Sequence, residues 1–182
     1  MTLIAVCGAT ASGKTTLAKQ LVSRFDLSRV VTTTTRPPRP GECQQDYHFV
    51  SQREFADQAR RGEFLEWVAF CGHLYGITKS AVELAVGSSK AAVVVCTPHA
   101  LAKLSRWTRA QGYGFRSVFL ASDRQMLKQR LLDREGFTFS DHRRLASTDL
   151  QKCWLSMHQY DLVIDPSCLA TNISDVGALI AA

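Results

Sequence analysis

The sequence predicts an α/β domain built on a doubly wound parallel sheet, with a smaller subdomain inserted into it. Three observations support this fold class. Residues 91–96 form a fully apolar run of strand length, which is typical of a strand buried in a parallel sheet. Strand-like segments alternate with amphipathic helical segments at both ends of the chain. Between them, residues 32–86 are rich in hairpin signals, which indicates the insertion.

The amino-terminal half is predicted from hydrophobic spacing and from turn and cap residues. Apolar residues recur at helical spacing within residues 14–25, and three prolines exclude regular structure over 36–41. Ser51 and Glu54 form a capping box that opens a helix, and Thr78 or Ser80 is expected to cap the next one. The predicted elements are strands at 3–7, 30–34, 64–70 and 74–77, and helices at 14–25, 51–61 and 78–86.

The carboxy-terminal half shows the regular alternation of a parallel sheet. Pro98 stands near the first turn of a predicted helix, and Ser122 together with Gln125 is expected to cap another. The predicted elements are strands at 91–96, 116–121 and 161–164, helices at 98–110, 122–134, 141–157 and 173–180, and a loop at 136–140.

Length and composition limit the domain organisation. The 182 residues are enough for one α/β domain, with a core at 1–31 and 87–182 and an insertion at 32–86. Hydrophobic residues make up 46% and charged residues 21%, which excludes a disordered chain. No apolar run is long enough to cross a membrane. The start lacks the basic segment of a signal peptide, so we expect a cytoplasmic chain with six reduced cysteines.

The net charge of +6 is unevenly distributed. Residues 101–152 contain eleven basic and five acidic residues, whereas the rest of the chain is neutral. Such a surplus attracts polyanions, including nucleoside triphosphates and nucleic acid. On charge alone a solvated basic helix face is the favoured explanation, so a nucleic-acid partner is possible but not favoured.

The sequence that follows the first predicted strand matches G-x-x-x-x-G-K-[ST] and opens a predicted helix. The two glycines let successive backbone N–H groups turn towards phosphate oxygens. Lys14 is the candidate catalytic cation at the terminal phosphates, and Thr15 is the candidate Mg²⁺ ligand. The predicted ATP site comprises Gly8, Ala9, Thr10, Ala11, Ser12, Gly13, Lys14, Thr15 and Thr16.

Several further segments resemble those of guanylate kinases. They are T-T-R-P-P-R-P-G-E at 34–42, D-Y-H-F-V at 46–50, G-E-F-L-E-W at 62–67, and Tyr75-Gly76. The first and third are specific signatures, and with the phosphate loop the resemblance covers most of the chain. It implies a P-loop kinase that uses ATP and Mg²⁺ and acts on a small nucleotide.

The resemblance also implies roles for the matching positions. Arg36, Arg39, Tyr47 and Tyr75 stand where the family holds the phosphate of the acceptor. Two guanidinium groups and two phenol hydroxyls suit a dianion. Glu66 stands where the family accepts hydrogen bonds from guanine N1–H and the exocyclic amine, which a carboxylate can do with its two oxygens.

Other positions depart from the family pattern. Thr32 replaces a serine that helps to read the base, and it keeps a hydroxyl. Val-Cys-Thr at 95–97 replaces D-x-D, so Thr97 stands near the base in place of a carboxylate. Ile77 replaces a hydroxyl residue. Phosphoryl transfer remains implied, whereas the acceptor base stays open.

A basic segment resembles the lid of the family. The resemblance implies a lid at about 135–141, with Arg130, Arg134 and Arg144 as catalytic candidates that neutralise the transferring phosphoryl group. Closure of such a lid excludes water, which would otherwise hydrolyse ATP.

The leading prediction is a nucleoside monophosphate kinase with GMP or dGMP as first-choice acceptor. Three other kinase activities stay open: on another or a modified pyrimidine nucleotide, on a base within DNA, and on a sugar phosphate, similar to ribose 1,5-bisphosphate kinases. A non-catalytic binding module of the same fold is disfavoured because the phosphate loop is complete. Nothing in the sequence indicates an oligomeric state.

Overall fold

The computed structural model describes residues 1–133, 150–167 and 169–181. The strands, in chain order, are β1 Thr2–Gly8, β2 Ser28–Arg29, β3 Thr32–Thr34, β4 Tyr47–Phe49, β5 Phe64–Phe70, β6 His73–Thr78, β7 Ala91–Val95, β8 Gly114–Leu120 and β9 Leu162–Ile164. The helices are α1 Lys14–Phe25, α2 Gln52–Arg60, α3 Lys79–Ser88, α4 Leu101–Ala110, α5 Arg124–Leu132, α6 Gln151–Met157 and α7 Leu169–Ala181. A short 3₁₀ turn, Pro98–Ala100, precedes α4.

The central sheet has five parallel strands in the order β2-β7-β1-β8-β9. Its middle strand, β1, is covered on both faces. Leu3 packs in a cluster with residues of α3 and α4, whereas Ile4 packs in a second cluster with residues of α1 and α7. Successive residues of a strand face opposite sides, so a strand buried on both sides must be apolar throughout. The predicted fold class, a doubly wound α/β sheet, is therefore confirmed.

A second sheet of four strands lies outside the parallel one, in the order β4-β3-β6-β5. β3 and β4 pair in parallel, and the other neighbours pair antiparallel. β5 and β6 form the predicted hairpin around Cys71 and Gly72, both with positive φ. The capping box of Ser51 and Glu54 is present at α2, and the Thr78 hydroxyl accepts a hydrogen bond from the Ala81 N–H at α3.

Three predictions of local structure were wrong or incomplete. Of the strand predicted over 30–34 only β3, Thr32–Thr34, is present, and an unpredicted strand, β2, precedes it at Ser28–Arg29. The chain leaves the parallel sheet at Val30, whose N–H donates to the Val93 carbonyl, and then enters the second sheet. The cap of α5 is Asp123, whose carboxylate accepts from two backbone N–H groups, and not Ser122. The three-residue strand β4 was not predicted. Of the helix predicted over 141–157, residues 141–149 lie outside the described residues.

The carboxyl ends of β1 and β7 and the inner edge of the second sheet meet at one crevice. The phosphate loop follows β1, and Cys96 and Thr97 follow β7. In open α/β sheets, ligands bind at the carboxyl ends of the strands. The fold therefore indicates that the functional site lies in this crevice.

Candidate active site

The loop between β1 and α1 has a backbone that few residues tolerate. Gly8, Ala11 and Gly13 have φ values of 146°, 66° and 95°. A Cβ on Gly8 would lie 2.8 Å from both the Leu120 carbonyl oxygen and the Ser12 hydroxyl, so this position requires glycine. Ala11 holds a left-handed conformation without being glycine, which is a conformation often found at functional sites.

The side chains of this loop fit a phosphate group and a bound Mg²⁺. The Lys14 ammonium donates to the Ala9 carbonyl at 2.6 Å, which folds it back over the loop. The Ser12 hydroxyl is fully buried and has no hydrogen-bond partner within the described residues. Thr15 is the second residue of α1, at the helix N-terminus, where anions bind, and it lines the adjoining cavity. The residues present therefore match the predicted nucleotide and metal.

A cavity of about 290 Å³ adjoins this loop and collects residues from distant parts of the chain. The residues of the phosphate loop that line the cavity are Gly8, Thr10, Ala11, Gly13, Lys14, Thr15 and Thr16. The residues predicted to bind the acceptor that line it are Thr32, Arg36, Arg39, Tyr47, Glu66, Tyr75 and Thr97. Every residue predicted to bind the acceptor therefore lines the same cavity as the phosphate loop.

Arg36, Arg39, Tyr47 and Tyr75 form a corner of the cavity, called the anion-binding corner after its predicted role, and Arg36 is its buried end. Its side chain is 6% exposed, and its guanidinium group contacts Glu42 at 2.8 Å and donates to the Pro37 carbonyl at 2.7 Å. It also lies 5.3 Å from the centre of the Tyr47 ring. The Arg39 side chain is exposed, and the Arg39 backbone N–H donates at 2.9 Å to Oε2 of Glu42, the same oxygen that the Arg36 guanidinium group contacts. Glu42 thus holds the Arg36 side chain and the backbone of Arg39, a role that its place in the motif did not disclose.

The two tyrosines complete this corner. The Tyr47 and Tyr75 rings meet edge to face, with 6.4 Å between their centres. Burial raises the pKa of Tyr47, and neighbouring Tyr75 raises it further, whereas Arg36 lowers it. Tyr47 therefore keeps its phenol proton at neutral pH and can donate a hydrogen bond to an anion.

Asp46, the residue before β4, links the second sheet to the phosphate-loop helix. Its carboxylate lies 2.8 Å from the Lys19 ammonium of α1 and 3.1 Å from the Arg29 guanidinium of β2. The hydrogen bond from Lys19, together with Arg29, lowers the pKa of Asp46 to about 2. Sequence reasoning missed this contact because its two cations precede the insertion in the chain.

The far end of the cavity contains Glu66 and the residues that follow β7. Glu66 is 15% exposed, and its carboxylate pairs with the Lys103 ammonium of α4. The thiols of Cys96 and Cys7 lie 3.4 Å apart, and burial raises the pKa of the Cys7 thiol. Trp154 of α6 also lines the cavity, although its sequence context indicated only a helix.

Arg130 lies on the other side of the phosphate loop. Its guanidinium group donates to the Ala11 carbonyl at 3.4 Å. It lines a second cavity of about 380 Å³ together with Asp133, Pro166 and the outer side of the loop. Arg134, Arg144 and the predicted lid at 135–141 lie outside the described residues.

Clusters of metal-ligating side chains and membrane-spanning helices are two other features that would indicate a function. Among the residues that the structure describes, no three His, Cys, Asp or Glu side chains are grouped closely enough to hold a metal ion. Over the same part of the chain, no helix has the length and apolar character needed to cross a membrane.

Comparison with known proteins places this geometry in a family. The chain is 42% identical to the guanylate kinase of Thermotoga maritima over 94 residues, which cover 50% of this chain and 45% of that protein. It is 29% identical to the guanylate kinase of Wolbachia sp. subsp. Brugia malayi over 182 residues, which cover 98% and 91% of the two chains. The chain thus spans about half the length of the first curated relatives it matches, whereas its match to the Wolbachia protein covers nearly all of both chains.

The fold resembles that of a solved structure. The crystal structure of guanylate kinase from Anaplasma phagocytophilum superposes with a TM-score of 0.75 at 21% identity, over 99% of this chain and 84% of that one. At this identity the likeness concerns the fold. The sequence profile of the guanylate kinase family matches residues 1–182. This chain therefore belongs to the guanylate kinase family.

Proposed function

We propose that this chain is an ATP-dependent nucleoside monophosphate kinase whose first-choice acceptor is GMP or dGMP. One observation carries the proposal: a single cavity is lined both by the phosphate loop and by the Arg36, Arg39, Tyr47 and Tyr75 cluster. Two phosphate-binding surfaces that face one cavity suit the transfer of a phosphoryl group from one nucleotide to another.

The phosphate loop would hold the donor. Its backbone N–H groups and the N-terminus of α1 favour the phosphates of ATP, and Lys14 would leave Ala9 to contact the terminal ones. Thr15 is our candidate ligand for Mg²⁺, which supplies charge neutralisation at the phosphates. Arg130 is close enough to the loop to stabilise the transferring group, and we assign the same role to Arg134 and Arg144.

The acceptor would lie across the cavity, on the second sheet. Arg36, Arg39, Tyr47 and Tyr75 would bind its phosphate, and Thr32, Glu66 and Thr97 would surround its base. The attacking atom is a phosphate oxygen that is already ionised, so no general base is required. We propose that residues 32–86 form a subdomain that carries these acceptor contacts, with the core at 1–31 and 87–182.

The test is phosphoryl transfer from labelled ATP with Mg²⁺ to a panel of acceptors. The panel contains GMP, dGMP, the other nucleoside monophosphates, a modified pyrimidine monophosphate, ribose 1,5-bisphosphate and modified DNA. We expect the highest kcat/KM with GMP or dGMP. We expect Lys14→Met to lower kcat by about a hundredfold or more, because such cations stabilise the transition state, while the melting temperature is unchanged.

Each other outcome changes the assignment. Transfer to ribose 1,5-bisphosphate or to DNA alone would replace the nucleotide acceptor by a sugar phosphate or a base within DNA. Binding of ATP without transfer to any acceptor would indicate a non-catalytic binding module. Wild-type turnover in folded Lys14→Met would refute the role of the phosphate loop.

A further inference from the structure

Glu66, at the far end of the cavity, forms an ion pair with a lysine that is not itself a lining residue. The Lys103 ammonium nitrogen of α4 is 2.5 Å from Oε2 of Glu66 on β5. The lysine side chain is 65% exposed and the glutamate side chain 15% exposed, so the cation reaches inwards from the surface. Among the described residues that line the cavity, Glu66 supplies the one carboxylate. The carboxylate available to a base therefore has one oxygen held by a cation.

The ion pair leaves N–H donors of the Lys103 ammonium available to a ligand. Oε2 of Glu66 is buried, and apart from the Lys103 ammonium it has no polar partner within the described residues. The ion pair is made at this single carboxylate oxygen. An ammonium has three donors, and a ligand that enters beside Glu66 can take one of them.

We propose that Lys103 is a specificity-determining residue of the acceptor site and donates to a keto oxygen of the base, while Oε1 of Glu66 accepts from the adjacent ring N–H. This inference rests on the proposed function. A donor beside an acceptor matches a base edge that has a keto oxygen next to a protonated ring nitrogen. Guanine, hypoxanthine, uracil and thymine have this edge, whereas adenine and cytosine have an amine beside an unprotonated ring nitrogen.

The ion pair at Glu66 also affects how the site can bind the 2-amino group of guanine. A free carboxylate can accept from both the ring N–H and this amine with its two oxygens. In this chain the Lys103 ammonium lies 2.5 Å from Oε2, so the amine must compete with a cation for that oxygen. GMP and IMP differ only in that amine, and we expect the wild-type kcat/KM values for the two to lie within about tenfold of each other, since a neutral hydrogen bond contributes less than a charged one.

The decisive variant is Lys103→Met, which keeps the length of the side chain and removes its donors. The KM for IMP should rise about tenfold or more, because a charged hydrogen bond is lost. The KM for GMP should rise less, because the released Oε2 can accept from the 2-amino group. The GMP-to-IMP ratio of kcat/KM should therefore increase about tenfold, with kcat nearly unchanged. Lys103→Arg should keep the wild-type ratio.

Lys90→Met is the matched control. Lys90 is an exposed lysine next to the amino end of β7, at the opposite end of that strand from the cavity. This variant makes the same change of charge and shape, and the ratio should stay at the wild-type value. A role for Lys103 in stability alone would change the melting temperature and leave the ratio as it was.

Two results would overturn the inference: a ratio that Lys103→Met leaves unchanged, or a wild-type preference for GMP over IMP of more than a hundredfold. Both leave the kinase assignment standing, because GMP is still phosphorylated. If the wild-type chain phosphorylates no monophosphate, the proposed function fails. Equilibrium dialysis of GMP and IMP against the same four proteins then tests Lys103 without turnover, by the same ratio of affinities.

Discussion

The two arginines of the anion-binding corner have different structural environments. Arg36 is buried against the Tyr47 and Phe49 rings and paired with Glu42, whereas the Arg39 side chain is exposed. A buried, paired cation contributes to the fold as well as to a ligand, because its removal leaves a partner charge without compensation. An exposed cation affects the ligand alone.

Substitution of the two arginines should therefore separate binding from stability. Arg39→Ala should weaken acceptor binding about tenfold or more with an unchanged melting temperature, because one charged hydrogen bond is lost. Arg36→Ala should weaken acceptor binding and also lower the free energy of unfolding by about 1–3 kcal/mol, because Glu42 loses its partner. Isothermal titration with GMP and with ATP, combined with thermal unfolding, measures both effects.

Arg53→Ala, a change at an exposed arginine of α2, is the control for loss of charge. It should leave acceptor affinity and stability near the wild-type values. ATP binding should stay nearly unchanged in all three variants. A parallel loss of ATP and GMP affinity in Arg39→Ala would argue against a separate acceptor corner.

At the scale of secondary-structure elements, the hairpin of β5 and β6 requires a glycine that lies within a strand and not in a turn. Gly76 lies in the middle of β6, opposite Trp67 and Thr33. A Cβ at this position would collide with the Phe64 ring and lie 3.0 Å from the Phe55 ring. These two rings stack with their centres 4.4 Å apart, so they fill the space over the glycine.

Gly76→Ala should consequently lower the free energy of unfolding by about 1–3 kcal/mol, which is the usual cost of overpacking. Gly87→Ala is the opposite case, because Gly87 lies in α3 and a Cβ there meets nothing within 4 Å. That change should raise stability by about 0.5 kcal/mol, because alanine favours the helix. Urea denaturation of both variants gives the comparison. Stability gained by Gly76→Ala would show that the rings move aside freely.

The element boundaries show what local sequence can predict. The capping box at Ser51 was predicted correctly, because a cap depends on residues close together in the chain. Of the two caps predicted for α3, Thr78 or Ser80, the structure has Thr78. The split between β2 and β3 could not be predicted, because residues 30–34 suit either sheet and only the pairing partners decide. β4 was missed because three residues carry too little pattern.

The candidate site likewise combines residues that local sequence predicts with contacts that only the tertiary fold creates. Most of the residues predicted for the site stand in short motifs, and the structure brings the seven predicted acceptor residues to one cavity with the phosphate loop, whereas Trp154 and Phe70 line that cavity without having been predicted. The partners of these residues come from elsewhere in the chain: Lys103 reaches Glu66 from a helix much later in the sequence, and Lys19 reaches Asp46 across the start of the insertion. Contacts of this kind depend on the tertiary fold, and no local pattern predicts them.

At the scale of the whole molecule, the Asp46 carboxylate forms ion pairs that link the second sheet to the parallel sheet and its helix α1. It stands directly before Tyr47 of the anion-binding corner, and Lys19 and Arg29 hold it from α1 and β2. The Arg29 guanidinium also donates to the Asp46 backbone carbonyl at 3.2 Å. The contact therefore couples the position of the acceptor residues to that of the phosphate-loop helix.

Asp46→Asn should test this coupling, because it keeps the shape of the side chain and removes the charge. At pH 7 the free energy of unfolding should fall by about 1–2 kcal/mol, a figure that allows for solvent screening of the exposed Lys19. The KM for the acceptor should rise, because Tyr47 loses a fixed neighbour. Urea denaturation from pH 8 to pH 2 and steady-state kinetics measure the two effects.

The pH dependence has a definite sign. The pKa of Asp46 is lowered from 3.8 to about 2, so the carboxylate stabilises the fold fully above about pH 4 and loses this contribution as the pH falls towards 2. The difference between wild type and Asp46→Asn should thus stay constant from pH 8 to pH 5 and shrink below pH 4. Asp57→Asn, in an exposed pair with Arg60 on α2, should cost less than about 0.5 kcal/mol. A difference that persists undiminished to pH 2, or none at pH 7, would mean that another contact joins the two sheets.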